Sequence, residues 1–108
     1  MVGKLFRVIF SLKARKRLRE ISDYQQKNAS PVVAKKIRRG LISTARKLEK
    51  LPDSKPPFLG TEDLDYTVRY TKKWDYKIIF RVLKMDGIVR ILTIRHDKED
   101  PEDVLKDL

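Results

Sequence analysis

The residues best suited to chemistry lie along one alternating stretch, Tyr66–His96. His96 is the only histidine in the chain, and histidine alone ordinarily changes its charge near neutral pH. Arg69, Lys77, Arg81 and Arg95 precede it, spaced to fall on neighbouring strands of one sheet, with Tyr66, Tyr70 and Tyr76 interleaved. This set suits phosphate chemistry. Cleavage of RNA by its own 2′-hydroxyl needs a base, a cation that stabilises the charge on phosphorus, and an acid for the leaving oxygen. Lys77, Arg81 and His96 are the candidate catalytic residues. Arg69, Arg95, Lys72 and Lys73 are candidates for holding a nucleic acid or another target. A structural reading stands beside the chemical one. A lone histidine at a strand end commonly ties down a neighbouring loop. The tyrosines share their alternation with Val68, Ile78 and Phe80, which points to core packing, whereas Arg69 and Lys77 fall on the opposite parity.

Other chemistries find no footing. There is no cysteine, so disulfides and thiolate metal sites are excluded. Asp97, Glu99, Asp100, Glu102 and Asp103 crowd one short segment without the spacing of a calcium loop. They read as a solvated acidic end that folds back on the basic helices. Four scattered glycines make no phosphate-cradling loop. No serine follows Ser54 to join His96 in a triad. No cofactor and no metal are expected.

Lys4–Phe10 alternates as a first strand. Ser11 offers a hydroxyl cap to a helix whose inner stripe is Ala14, Leu18, Ile21 and Tyr24 or Gln25. Ser30-Pro31 restarts a second helix, because proline at the first helical position forfeits no hydrogen bond. Val33, Ile37, Leu41, Ala45 and Leu48 mark its inner stripe, which runs to about Lys50. The short link between them predicts an antiparallel helix hairpin. Pro52, Pro56 and Pro57 make residues 52–65 a loop, pinned by Phe58 and Leu59. Three strands follow, Asp65–Thr71, Tyr76–Leu83 and Ile88–Arg95, with Lys72-Lys73-Trp74 as one connection and Asp86-Gly87 as a tight turn. The fold expected is α+β: an N-terminal strand, a two-helix hairpin and a three-stranded antiparallel meander, with both helices on one face of the sheet. A chain of 108 residues is expected to form one domain, with residues 97–108 as its acidic tail.

Charge is uneven. The net charge is +11. Residues 1–50 carry 15 Lys and Arg against Glu20, Asp23 and Glu49. Such a balance favours a polyanionic partner, whether nucleic acid, ribosome or acidic protein. Lys35, Arg38, Arg39 and Arg46, on the outer face of the second helix, are the candidate contacts for an acidic protein segment that folds on docking. No apolar run reaches the roughly 20 residues of a membrane span, so no membrane partner is expected and the cytoplasm is the default location.

Three segments in order resemble the RelE/ParE superfamily of toxins from type II toxin–antitoxin systems, over nearly the whole chain. The first is the opening strand with Glu20-Ile21-Ser22-Asp23-Tyr24 and the Ser30-Pro31 restart. The second is Trp74–Val82, similar to the family's aromatic-basic-aliphatic strand. The third is Ile91–His96, similar to its closing strand. The resemblance implies a toxin that slows growth, stabilises plasmids and is neutralised by a cognate antitoxin in a hetero-oligomer. RelE-like members cut mRNA on the ribosome with Lys, Arg and Tyr side chains; ParE-like members inhibit DNA gyrase. Here Lys77 replaces the strand arginine, Asp97 falls where a basic residue follows the last strand, and no tyrosine lies after Phe80. These departures favour the ParE-like reading. The alternatives are a ribosome-dependent endoribonuclease and a non-toxic, partner-binding remnant.

Overall fold

Two serines start the two long helices. In the computed structural model, which describes residues 5–108, Ser11 Oγ accepts from the Ala14 N–H and Ser30 Oγ accepts from the Val33 N–H. Each hydroxyl satisfies an amide that would otherwise lack a partner in the first turn. Helix α1 spans Leu12–Asn28 and helix α2 spans Pro31–Arg46, with proline at its start. They form the expected hairpin. A 3₁₀ turn, Lys47–Glu49, continues α2.

The sheet has four strands: β1 (Arg7–Phe10), β2 (Arg69–Lys73), β3 (Tyr76–Leu83) and β4 (Ile88–His96). Their order is β1-β4-β3-β2. The three later strands form the antiparallel meander, and β1 pairs parallel to β4 across the helix hairpin. The α+β architecture is therefore as expected. Gly87, with φ 66°, closes the β3–β4 hairpin after a 3₁₀ turn at Lys84–Asp86. Only glycine takes that backbone without a Cβ penalty. The N-terminal strand is shorter than Lys4–Phe10, and Lys4 lies outside the described residues.

The helices cover one face of the sheet. Ile78, Phe80, Val89, Ile91 and Ile94 pack there against Ala14, Leu18, Leu41, Ala45 and Leu48. The other face is also covered. Phe58, Val68, Ile79 and Val104 form a second buried cluster, flanked by Tyr66, Tyr70, Leu92, Leu105 and Leu108. Its lid is the proline-rich loop and a short helix α3 (Pro101–Leu105). A register shift between β3 and β4 helps to build this cluster. Ile79 lies opposite Thr93 and Phe80 opposite Ile91, so Leu92 is the extra residue of a bulge.

Three expectations need correction. Tyr66, Val68 and Tyr70 do not share a face with Ile78 and Phe80. They belong to the second cluster, because Tyr70 pairs with Ile79; parity within one strand cannot fix its face until the register is known. The second strand begins at Arg69 rather than Asp65, since residues 66–68 pack as loop and only the isolated Pro57–Arg69 bridge reaches back. The C-terminal segment is not a solvated end: Val104 is buried and Asp107 is held inside an ion-pair cluster.

Candidate partner-binding groove and the sheet cations

A groove of ≈ 790 Å³ opens where the α1–α2 hairpin meets the ends of β3 and β4. Ile21, Tyr24 and Gln25 come from α1, Val33, Lys36 and Ile37 from α2, Trp74–Tyr76 from the β2–β3 turn, and Ile94 and His96 from β4. Ile21 and Ile37 occupy inner-stripe positions toward the linked end of the hairpin, where both stay partly exposed. Tyr24 is 61% exposed, Trp74 45% and Val33 36%. Val33 was expected inside; Ala34 takes the buried place instead. The groove is thus an open apolar trough whose rim carries Arg17, Lys36 and Glu20.

Trp74 shapes this trough. It occupies the first position of a two-residue hairpin loop, with φ 52°. A left-handed backbone at a bulky residue costs about 1 kcal/mol or more. Its indole is aimed at α2, where it lies against Gly40. A Cβ added at Gly40 would stand 2.2 Å from Trp74 Cη2 and 2.6 Å from Cζ3. Lys73 Nζ sits over the indole, 4.7 Å from its centroid. At the floor, Gln25 Nε2 donates to Tyr76 Oη at 3.2 Å, and the Tyr76 ring meets His96 edge to face at 5.5 Å. His96 Nδ1 accepts from the Lys98 N–H at 3.1 Å. That bond leaves Nε2 as the protonated nitrogen. None of Trp74, Tyr24, Val33 and Gly40 was among the expected site residues: Tyr24 and Val33 read as stripe positions and Trp74 as part of a turn. The one available signal was a large aromatic in a turn between two amphipathic strands.

The three candidate catalytic residues are not brought together. His96 pairs with Tyr76 on the helix side of the sheet, whereas Lys77 faces the Phe58 and Tyr70 rings on the other side. Arg81 lies on that second face with Cζ 3.9 Å from the Tyr66 ring centroid, and its Nε is buried without a hydrogen-bond partner. The cations proposed for target contact are mostly engaged within the chain. Lys72 and Lys77 both bind Asp97, at 2.8 and 3.2 Å. Arg69 donates to the Lys55 carbonyl at 2.7 Å and approaches Asp53. Arg95 pairs with Glu99 and with Asp107. Of these, Arg95 lines the groove beside Glu99, and Lys73 lies over the Trp74 ring. Lys35, Arg38, Arg39 and Arg46 are exposed on the outside of α2, as expected from its stripe.

The acidic end supplies the opposing charges. Asp107, with its side chain 4% exposed, accepts from Arg17, Arg95 and the Thr93 hydroxyl at 2.7–2.9 Å. Burial works to raise its carboxyl, but hydrogen bonds from Arg17, Arg95 and Thr93 outweigh that and hold it well below the usual carboxylate range. Its hydrogen bond in turn raises the Arg17 guanidinium. Hydrogen bonds from Lys72 and Lys77 likewise lower Asp97. Burial also opposes the charge on Glu99, yet Arg95 and the His96 N–H lower it. The acidic segment thus ties the last residues to β4 and α1. Among the described residues no group of three carboxylates or histidines is placed to hold a metal, and no helix is long and apolar enough to cross a membrane.

Residues 8–101 match the family described as ParE toxin of type II toxin-antitoxin system, parDE. The chain is similar in fold to a chain of the chromosomal ParDE toxin–antitoxin system from Pseudomonas aeruginosa, with TM-score 0.70 and 19% identity over 87% of this chain and 98% of that one. It is similar also to a chain of the RelBE toxin–antitoxin complex from Mycobacterium tuberculosis, with TM-score 0.67 and 17% identity over 91% and 98%. A variant of Escherichia coli RelE in the free state aligns with TM-score 0.64 and 14% identity over 95% and 93%. No curated relative matches significantly. At these identities the solved structures speak to the fold, and the family match over residues 8–101 carries the assignment: the chain belongs to the ParE toxin family of type II toxin–antitoxin systems, within the RelE/ParE superfamily.

Proposed function

We propose that this chain arrests growth in the ParE manner, by binding an essential target, DNA gyrase, without cutting nucleic acid, and that a cognate antitoxin restrains it. The observation that carries the reading is the dispersal of the acid–base set. His96 is separated by the sheet from Lys77 and Arg81, and Lys72, Lys77 and Arg95 spend their charge on Asp97, Glu99 and Asp107. An in-line cleavage of RNA needs its base, acid and charge stabiliser around one phosphate. The family match adds to this reading.

The antitoxin would use the groove. An amphipathic segment could lay apolar side chains against Trp74, Tyr24, Val33 and Ile37 and meet Lys36 at the rim with an acidic residue. Ordering a disordered segment costs free energy, so such a dock must bury apolar area as well as pair charges. The test is induced expression in bacteria with and without the adjacent antitoxin gene. Growth arrest that the antitoxin relieves, that persists in a His96→Ala variant, and that leaves mRNA 5′ ends unchanged is the expected result. Loss of arrest in that variant together with loss of new mRNA ends would establish the ribosome-dependent endoribonuclease instead. No arrest at all would leave a partner-binding remnant of the family.

A further inference from the structure

The exposed arginines of the hairpin concentrate in one place. Arg15 and Arg19 of α1 and Arg38 and Arg46 of α2 flank a cleft of ≈ 380 Å³ floored by Leu18 and Ile42. No carboxylate lines it. Elsewhere the acids are spent on cations: Arg17, Arg69, Lys72, Lys77, Lys84, Arg95 and Lys106 each have an acidic partner. Among the described residues none of the four cleft arginines makes an ion pair. Four uncompensated guanidiniums around one cleft repel each other, which favours an anion between them.

We infer that this cleft binds the phosphodiester backbone of nucleic acid, independently of base sequence. Arginine presents a planar fork that takes two oxygens of one phosphate. Arg15 and Arg19 are one turn apart, a rise of about 6 Å, and Arg38 and Arg46 two turns apart, about 12 Å. The α2 ridge is long enough to meet more than one phosphate of a strand. Lys16, Arg39 and Lys47 extend both ridges, which suits a long polyanion better than a short acidic peptide. The cleft also lies away from the groove. At 3.6 residues per turn, Arg15 and Arg19 stand about 160–200° around α1 from Arg17, and Arg38 and Arg46 about 140–220° around α2 from Val33. Resting here on the reading of the groove as the antitoxin dock, the same chain can hold antitoxin on one side and nucleic acid on the other.

The test uses fluorescence anisotropy of the whole chain with a short mixed-sequence DNA duplex and its RNA counterpart across a salt series. Arg15→Gln/Arg38→Gln/Arg46→Gln is compared with Lys27→Gln/Lys50→Gln/Lys98→Gln, which has the same net charge. The cleft variant is expected to lose about tenfold or more in affinity, and its log–log salt slope to fall by about 2.7 on duplex DNA, while the control loses less than about threefold. Equal losses in both, or none in the cleft variant, would overturn the assignment. So would a polyglutamate peptide that binds more tightly than either nucleic acid with the same arginine dependence, because the site would then be one for acidic protein. Should the cleft variant misfold, phenylglyoxal labelling of the unmodified chain decides. Duplex should protect Arg15, Arg19, Arg38 and Arg46, and unprotected arginines contradict the site. A final arm adds antitoxin: duplex affinity changing less than about threefold supports separate surfaces, and its loss refutes them. That arm fails apart from the others, so the groove and the cleft are judged independently.

Discussion

At the scale of single residues, Trp74 and Asp107 matter most, and neither shows its role in the sequence. Trp74 reads there as part of a turn; its positive φ and its seat on Gly40 arise only once α2 is packed beside the β2–β3 loop. As a half-exposed aromatic at the centre of the groove it is the natural anchor for a partner. Trp74→Ala should therefore weaken antitoxin binding by about 30-fold or more, the usual effect of losing a central anchor, with little change in melting temperature. Titration calorimetry and thermal melts on the same preparations check this, and a loss under about threefold contradicts it. Asp107 reads as one more acid in a charged tail. In the folded chain its carboxyl lies below its unfolded value, so its stabilising contribution is full above the unfolded pKa of about 4 and is lost as pH falls through the folded value. Asp107→Asn should cost about 2–3 kcal/mol at neutral pH, since Arg17 and Arg95 are then left half-paired. The gap in melting temperature between the two proteins should narrow below about pH 4. A gap that widens with acid would show that the carboxylate is not stabilised by these partners.

At the scale of elements, what was legible depended on local signals. Ser11, Ser30-Pro31 and Asp86-Gly87 each mark a boundary through the chemistry of two or three consecutive residues, and the structure starts or turns its elements there. The stripes of α1 and α2 were equally readable, apart from Val33 and Ala34 at the end where the sheet stops covering the hairpin. The second face of the sheet was not readable. Its cover comes from Phe58 in a loop and from Val104, Leu105 and Leu108 at the chain's end, and only the β2–β3 register and the bulge at Leu92 decide that these meet Ile79. The separation of the candidate catalytic residues was hidden for the same reason: strand alternation groups Lys77 with Arg81 but cannot say that His96 lies across the sheet. Packing between elements also yields a prediction at Gly40. Alanine is the better helix former by about 1 kcal/mol, yet its methyl would occupy the seat of the indole. Gly40→Ala should leave the helical circular dichroism unchanged while displacing Trp74 and weakening antitoxin binding nearly as much as Trp74→Ala does. Tryptophan fluorescence should report the displacement, and unchanged emission with unchanged affinity would mean that Trp74 is not held by α2.

At the scale of the whole molecule, charge and apolar surface are segregated. The helix hairpin carries most of the excess of +11 on its outer side. The acids of the C-terminal segment neutralise the sheet cations, and the groove at the hairpin's linked end keeps Tyr24 and Trp74 uncovered. In this division the sheet cations Lys72, Lys77 and Arg95 are paired within the chain. The proposed function requires that the target be bound rather than cut. The most direct measurement is the linking number of a reporter plasmid recovered from cells shortly after the chain is induced. Loss of negative supercoiling, reversed when antitoxin is co-expressed, is the predicted result; plasmid topology that stays unchanged while growth stops and coding mRNAs acquire new 5′ ends would contradict it.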